Sequence, residues 1–288
     1  MADSTIGFIG YGAMAALMAR HIREAGMEVI AFTPSGRSPD GTRMLPTARA
    51  LAAESDVLLV SVPDDAAVEA SAYGDHGFLD GARPGTLVIN ATSNSPELSR
   101  RLHRDGAKRE LPVIDAPVSG STPEAEKGEL VVLAGGADAD IERARPILDA
   151  IGKKTIHAGG PGRGSELKLV VNGIMVSSMV AIAEGVGYGL AVGLDRAMLF
   201  DALSGLAVVS PHHQRKLKAG AAGDFSPEFP ARLAHKDLGL LLADAGAHGV
   251  PTVAIAAAAQ AMTPVKARHP DKDYSAILAA TERMATRV

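Results

Sequence analysis

The chain has 288 residues, 47% of them apolar, which is enough for two domains of ordinary size with substantial cores. Its 29 basic and 33 acidic residues leave a net charge of −4 with no basic run, which argues against a nucleic-acid partner. There is no cysteine, so disulfides and thiolate metal sites are excluded. The nine histidines form no HExxH or HxH cluster, so no metal is expected.

The opening MADS runs straight into a strand-like TIGFIG, without the basic segment and long apolar core of a leader. The run PTVAIAAAAQAM is shorter than the ~20 residues of a membrane span. The expectation is a soluble, cytoplasmic protein with no membrane partner. Strand-like runs follow one another at TIGFIG (5–10), EVIAF (28–32), DVLLVSV (56–62), TLVIN (86–90), PVIDA (112–116), ELVVLAG (129–135) and KTIHA (154–158). Helical stretches separate them, at 13–25, 64–72, 96–106 and 138–150. Continuous apolar strands alternating with helices imply a parallel sheet covered on both faces. Residues 1–161 are therefore expected to form a doubly wound α/β domain of the Rossmann type. After residue 160 the strands stop. The glycine-rich AGGPGRG leads into one long helical pattern, 165–193, followed by helices near 195–204, 229–247, 252–267 and 274–286. Residues 162–288 read as an all-helical domain that starts on a long interdomain helix. Its small-residue faces suit a homo-oligomer.

The first chemical motif lies in GFIGYGAMAALMARHI, where Gly10, Gly12 and Ala15 follow a strand and open a helix. In that context G-x-G-x-x-A is a dinucleotide fingerprint. Gly10 makes the turn, Gly12 admits the pyrophosphate, and the first-turn residues Ala13, Met14 and Ala15 present the helix N-terminus to it. NAD binders usually carry an acid at the end of the second strand. Here the chain reads AFTPSGRS, with Thr33, Ser35 and Arg37 and no carboxylate before Asp40. Hydroxyls and a guanidinium suit a 2′-phosphate, so NADP is favoured over NAD.

Two further segments stand out. In VIDAPVSGSTPEAEKGEL (113–130) a strand ends at Asp115 and turns through Ser119, Gly120 and Ser121. That turn reads equally as an anion-binding nest and as an ordinary turn capping a helix at 122–127. In GRGSELKLVVNGIM (162–175) Ser165 is a candidate cap, and Lys168 falls in the first turn of an otherwise apolar helix. Asn172 lies one turn further along the same face. A lysine near a helix N-terminus, partly desolvated, can be drawn towards neutral pH and serve as a general acid or base.

Together these segments resemble the β-hydroxyacid dehydrogenase family, which includes 3-hydroxyisobutyrate dehydrogenase, tartronate semialdehyde reductase and glyoxylate reductase. GFIGYGAM, VSVPDDAAVE, GARPGTLVINATSNSP, DAPVSGS, GRGSELKLVVN and HKDLGLLLADAGAHGVP carry the resemblance over nearly the whole chain. It implies an NAD(P)-dependent oxidoreductase moving a hydride between nicotinamide and a small hydroxyacid or its semialdehyde, with a small carboxylate as substrate. It implies that Lys168 is catalytic and that Ser119, Gly120, Ser121 and Asn172 bind substrate. Val62, Pro63 and Ser93 would line the cofactor, Lys236 would reach it, and Asp237 would support the helix junction. The chain departs from the family pattern in several places: Ala15 and Ser121 stand where glycine is common, Thr33-Pro34-Ser35 aligns with an Asn-Arg-Thr, and Val171 replaces an asparagine. An imine reductase on the same fold is the alternative, although such relatives generally lack the lysine. A non-catalytic dinucleotide-binding protein is another. His212 and His213 read as packing or surface residues that border the pocket in relatives, and Arg215, Lys216 and Lys218 as a solvated face.

Overall fold

The computed structural model describes residues 4–285, which divide into two compact units at Lys168/Leu169. The first unit runs β1 (Thr5–Ile9), α1 (Ala13–Glu24), β2 (Glu28–Phe32), α2 (Ala48–Glu54), β3 (Val57–Val60), α3 (Asp65–Tyr73), β4 (Leu87–Asn90), α4 (Pro96–Ala107), β5 (Val113–Asp115), β6 (Val118–Ser119), α5 (Thr122–Glu126), β7 (Leu130–Gly135), α6 (Asp138–Ile151) and β8 (Gly152–Gly159). The strands β2-β1-β3-β4-β5 are parallel neighbours in that order. Alternate residues of one strand feed two cores. Ile6 and Phe8, Val57 and Leu59, and Leu87 and Ile89 join one core; Ile9, Leu58, Val60 and Val88 join the other. A strand apolar on both faces in this way must be covered on both, which is why these runs show no alternation in sequence.

The expected parallel order gives way beyond β5. Strand β7 pairs antiparallel with β5 and β6 and parallel with β8, so the sheet is mixed. Strands β5 and β6 run one after the other alongside β7, and the chain reverses between β6 and β7 over residues 120–129, which hold only the short α5; so short a connection returns antiparallel, because a parallel crossover needs a dozen residues or more. The two-residue β6 and the short α2, capped by Thr47 Oγ1 accepting from Ala50 N at 3.0 Å, are additions to the elements expected from sequence.

In the second unit α7 (Arg163–Ala191), which starts in the first, continues as the central helix. It is joined by α8 (Arg196–Gly205), α9 (Pro211–Ala221), α10 (Ala231–Ala247), α11 (Val253–Arg268) and α12 (Ile277–Ala285). By length and composition α7 could cross a membrane, with a mean hydropathy of 1.8 over its most apolar window. Its apolar residues Val176, Met179, Val180, Ala183 and Val186 instead build the core of the helical unit. Gly173 and Gly187 let neighbours close on it: an added Cβ would meet Leu241 and Thr281 side chains at 2.4 Å in each case.

Helix α9, also absent from the expected set, corrects the solvated reading of its basic residues. Lys216 is 3% exposed and bonds Asp273 at 2.8 Å and Glu228 at 2.9 Å, while Arg215 pairs with Glu228 at 3.1 Å. Asp273 also accepts from Phe229 N at 3.0 Å and Ser275 Oγ at 2.7 Å. Lys218 alone of the three is exposed.

Candidate active site

The carboxyl ends of the parallel strands bring the first group of site residues to one sheet edge. Gly10 closes β1 at φ +84°, and a Cβ there would lie 2.3 Å from Ser61 O, so only glycine fits. Helices α2, α3 and α4 are capped by the side chains of Thr47, Asp64 and Ser95. Helix α1 is not: its N-cap is Gly12, exposed, with nothing within 4 Å of a built Cβ. The N–H groups of its first turn, from the exposed Ala13 through Met14 to the buried Ala15, are left for an anion that approaches the backbone, as a dinucleotide pyrophosphate does. Val62 and the exposed Pro63 follow β3, with Val62 N donating to Thr92 Oγ1 at 3.2 Å; Ser93, half-buried, follows β4. Beyond β2, Gly36 N closes a turn on Thr33 O at 2.9 Å, Arg37 N reaches Ser35 Oγ at 3.4 Å, and the Ser35 and Arg37 side chains are exposed. These surfaces fit a nicotinamide dinucleotide: an uncapped helix start, a glycine approach and a donor-rich turn where the adenosine ribose would lie.

A second group gathers at the start of α7. The helix begins at Arg163, so Lys168 lies in its second turn and not its first. Nor does Ser165 supply the cap. The buried Asp115, at the end of β5, accepts from Gly162 N at 2.8 Å and Ser165 N at 2.7 Å, and so caps α7 from across the unit. Burial raises the pKa of Asp115, and the two N–H bonds partly offset that rise. Gly164 is required by the same contact, because a Cβ would sit 2.3 Å from Leu133 O and 2.9 Å from Asp115 Oδ2. Ser165 Oγ instead pairs with Ser99 Oγ at 2.8 Å, which accepts from Asn94 Nδ2 at 2.9 Å; Asn94 Oδ1 accepts from Asn90 Nδ2 at 2.9 Å. This buried chain ties the INATSNS segment to the turn before Lys168, whose side chain is itself buried. Apart from Ser165, its members were not singled out from sequence, because Asp115 and Ser99 meet α7 at sequence separations of 47 and 66. The one local signal was an acid at a strand end.

The Ser119–Ser121 turn is held from below. Gly120 has φ +126°, and a Cβ on it would meet Leu130 at 2.8 Å and Glu124 Cβ at 3.0 Å. Ser121 is buried, and both its N–H (2.8 Å) and its hydroxyl (3.0 Å) donate to Glu124 Oε2. Ser121 is thus the N-cap of α5. Of the turn, Ser119 is half-exposed and Gly120 exposed.

In the helical unit Asn172 is buried and donates through Nδ2 to Asp237 Oδ2 at 2.5 Å. Lys236 Nζ lies 3.0 Å from Asp237 Oδ1. Asp237 therefore joins the two residues that the family resemblance singled out on this unit, and it turns the Asn172 amide so that its carbonyl oxygen points away from the carboxylate. Both histidines of α9 serve packing. His212 stacks on Tyr274 with a 2.8 Å Nε2–Oη bond. His213 donates from Nε2 to the Met175 carbonyl (2.9 Å), which leaves Nδ1 to accept from Ser210 Oγ (2.7 Å). Burial lowers its pKa against the opposing Met175 bond, so it is neutral near pH 7. Among the described residues no group of three or more metal-ligating side chains occurs.

Comparison with known proteins agrees with this layout. Residues 5–160 match the NAD binding domain of 6-phosphogluconate dehydrogenase, and residues 162–281 match the NAD-binding of NADP-dependent 3-hydroxyisobutyrate dehydrogenase. The chain is 32% identical over 287 residues to 2-(hydroxymethyl)glutarate dehydrogenase of Eubacterium barkeri, covering 97% of this chain and 95% of that one. It is 32% identical over 286 residues to the NAD-dependent L-serine dehydrogenase of Pseudomonas aeruginosa, covering 94% and 96%. Among solved structures it is similar to Mycobacterium tuberculosis 3-hydroxyisobutyrate dehydrogenase with L-serine, at 31% identity and a TM-score of 0.85 over 96% of this chain and 98% of that one. The chain belongs to the β-hydroxyacid dehydrogenase family, NAD(P)-dependent oxidoreductases of small hydroxyacids.

Proposed function

We propose that the protein oxidises the hydroxymethyl group of a small 2-substituted 3-hydroxypropanoate to its semialdehyde, or runs the reverse reduction, with Lys168 as the proton-transfer group. The three relatives above act, by their names, on 3-hydroxyisobutyrate, L-serine or 2-(hydroxymethyl)glutarate, all of which carry HOCH2–CH(R)–COO−. The observation that carries the reading is the buried Lys168 on a helix start bound to Asp115, the strand end from which the Ser119–Gly120 turn departs. Nicotinamide, when bound, takes or delivers the hydride. Neutral Lys168 receives the hydroxyl proton as the alcohol is oxidised; its ammonium returns the proton in reduction. Asn172, oriented by Asp237, bonds the reacting oxygen and holds it within reach of Nζ. Ser119 and the Gly120 backbone receive the substrate carboxylate. Thr33, Ser35 and Arg37 favour NADP over NAD, and Lys236 contacts the cofactor. The enzyme acts as a soluble, cytoplasmic homo-oligomer.

The test is a panel of 3-hydroxypropanoates differing in the 2-substituent, with their semialdehydes and glyoxylate, followed by nicotinamide absorbance with NADP and NAD in parallel. Turnover confined to acids bearing the hydroxymethyl group supports the assignment. Turnover only of 2-hydroxyacids, or only of imines, overturns it.

A further inference from the structure

The loop after β2 is not a free surface loop. Ala31 N donates to Arg43 O at 3.0 Å and Leu45 N to Ala31 O at 2.8 Å, so the chain leaves β2 at Thr33 and is returned to its edge by Met44. The closed excursion is tied down at Asp40, the first acid after β2. Five donors from four residues converge on that carboxylate. Oδ2 accepts from Tyr11 Oη at 2.9 Å and Arg23 Nη1 at 3.0 Å. Oδ1 accepts from Thr42 Oγ1 at 2.6 Å, Ser38 Oγ at 3.1 Å and Thr42 N at 3.2 Å. A carboxylate has about four lone-pair sites, so Asp40 is saturated. Burial opposes its ionisation, but the Thr42, Tyr11 and Arg23 bonds outweigh burial and hold it well below the usual carboxylate range.

The hub of the cluster is Tyr11, the residue between the two fingerprint glycines. Its ring is 5% exposed and packs edge-on to Phe8 at 5.7 Å. Its hydroxyl lies 2.8 Å from Thr42 Oγ1 and accepts from Arg23 Nη2 at 3.0 Å. One side chain therefore fixes the pyrophosphate turn and the β2 loop to each other. Recognition of an unmodified ribose relies on an acid accepting from its hydroxyls. Here the end of β2 carries no acid, and the loop's own acid, Asp40, is taken up by protein donors, while the loop shows Thr33, Ser35 and Arg37, which can donate.

We infer that Tyr11, Arg23, Asp40 and Thr42 form a clamp that withdraws the only acid of the β2 loop and positions its donor-bearing tip for the 2′-phosphate of the dinucleotide. Tyr11 and Asp40 are positioning residues, acting through the loop. The inference rests on the NAD(P) reading of the α1 site.

Calorimetric titration of the full-length protein with NADPH, NADH, adenosine 2′,5′-bisphosphate and 5′-AMP tests it. Wild type is expected to bind the bisphosphate at least ~10-fold tighter than 5′-AMP, as a charge-assisted contact would give. Tyr11→Phe keeps the ring and removes the hub hydroxyl. It should cut that ratio about 10-fold, weakening the bisphosphate and NADPH while leaving 5′-AMP and NADH within about 2-fold. Arg23→Met, at a partly exposed position, should lower the same ratio and serves if Tyr11→Phe does not fold. An equal loss for phosphorylated and unphosphorylated ligands, or no loss, overturns the clamp. So does a wild type that binds 5′-AMP as tightly as the bisphosphate. A wild type that binds NADPH normally with an unmoved ratio in both variants sinks the clamp alone. A wild type that binds neither dinucleotide sinks the NAD(P) reading with it.

Discussion

Lys168 is the residue on which the chemistry turns. Replacing it with alanine removes a proton-transfer group, so kcat should fall by ~10²-fold or more with the Kd for NADPH nearly unchanged. Stopped-flow turnover beside a binding titration checks this, and near-normal kcat would remove Lys168 from the mechanism. Ser121 leads to the opposite expectation. The sequence raised a substrate contact there, but its N–H and hydroxyl both face Glu124 and cap α5. Ser→Gly at an N-cap costs only a few tenths of a kcal/mol. Ser121→Gly should therefore leave relative kcat/KM across the 2-substituted acids within about 2-fold. A 10-fold shift in those ratios would return Ser121 to the pocket. What could be read from the chain follows from distance. Lys168 and Asn172 are one helical turn apart and the fingerprint glycines are contiguous, so their pattern is local. Asp115 and Asp40 look like unremarkable acids until the fold brings Ser165, Tyr11 and Arg23 to them.

At the scale of elements, long periodic helices and buried strands announced themselves, whereas α2, β6 and α9 did not. Helix α2 is a short, alanine-rich segment, β6 is two residues long, and α9 reads as polar because two of its buried residues, His213 and Lys216, are titratable. The pairing that α9 makes gives a pH-dependent test. Burial pushes the Asp273 carboxyl upward, but Lys216 and the Ser275 and Phe229 bonds outweigh it and hold the folded pKa below its ordinary value. A depressed carboxylate contributes stability that is fully present above the unfolded pKa of ~3.9 and is lost as pH falls through the folded value. Wild type should therefore hold its contribution from Asp273 above about pH 4–5 and lose it in stronger acid. Asp273→Asn breaks a buried pair and leaves Arg215 and Lys216 to share the single carboxylate of Glu228, a change worth about 3–5 kcal/mol at neutral pH. Urea unfolding followed by far-ultraviolet circular dichroism at pH 7 and at pH 3 should show a large gap between the two proteins at pH 7 that narrows at pH 3. A gap that is the same at both would mean that Asp273 does not titrate with folding.

The whole molecule poses a question that none of its cores answers. Helix α7 is apolar on more than the face it buries. Along one stripe it leaves Val170 (50%), Ile174 (64%), Tyr188 (71%) and Val192 (56%) exposed, with the small Ala181 and Gly185 between them. Positions 170, 174, 181, 185, 188 and 192 recur at the helical period, so they form a single row. Val250 and Val253, before and at the start of α11, are 53% and 80% exposed. Scattered exposed apolar residues are ordinary, but a row along a 29-residue helix is not, and contiguous patches of that kind mark interfaces. Small residues within the row allow a second helix to approach closely. A stable dimer buries roughly 1,200–2,000 Å² in total, within reach of a helix of this length and its neighbours. The expected state is therefore a dimer or higher oligomer at micromolar concentration. Ile174→Asp would place an unpaired charge in this row where a partner helix would cover it, at a cost of several kcal/mol of association. Because Ile174 is exposed within one chain, the substitution should leave the far-ultraviolet spectrum of the folded protomer unchanged. Sedimentation velocity should show wild type as the oligomer and Ile174→Asp shifted towards monomer by at least ~100-fold in dissociation constant. A wild type that sediments as a monomer would mean that the row meets solvent. An oligomer that the substitution leaves intact would place the interface on another face of the protein.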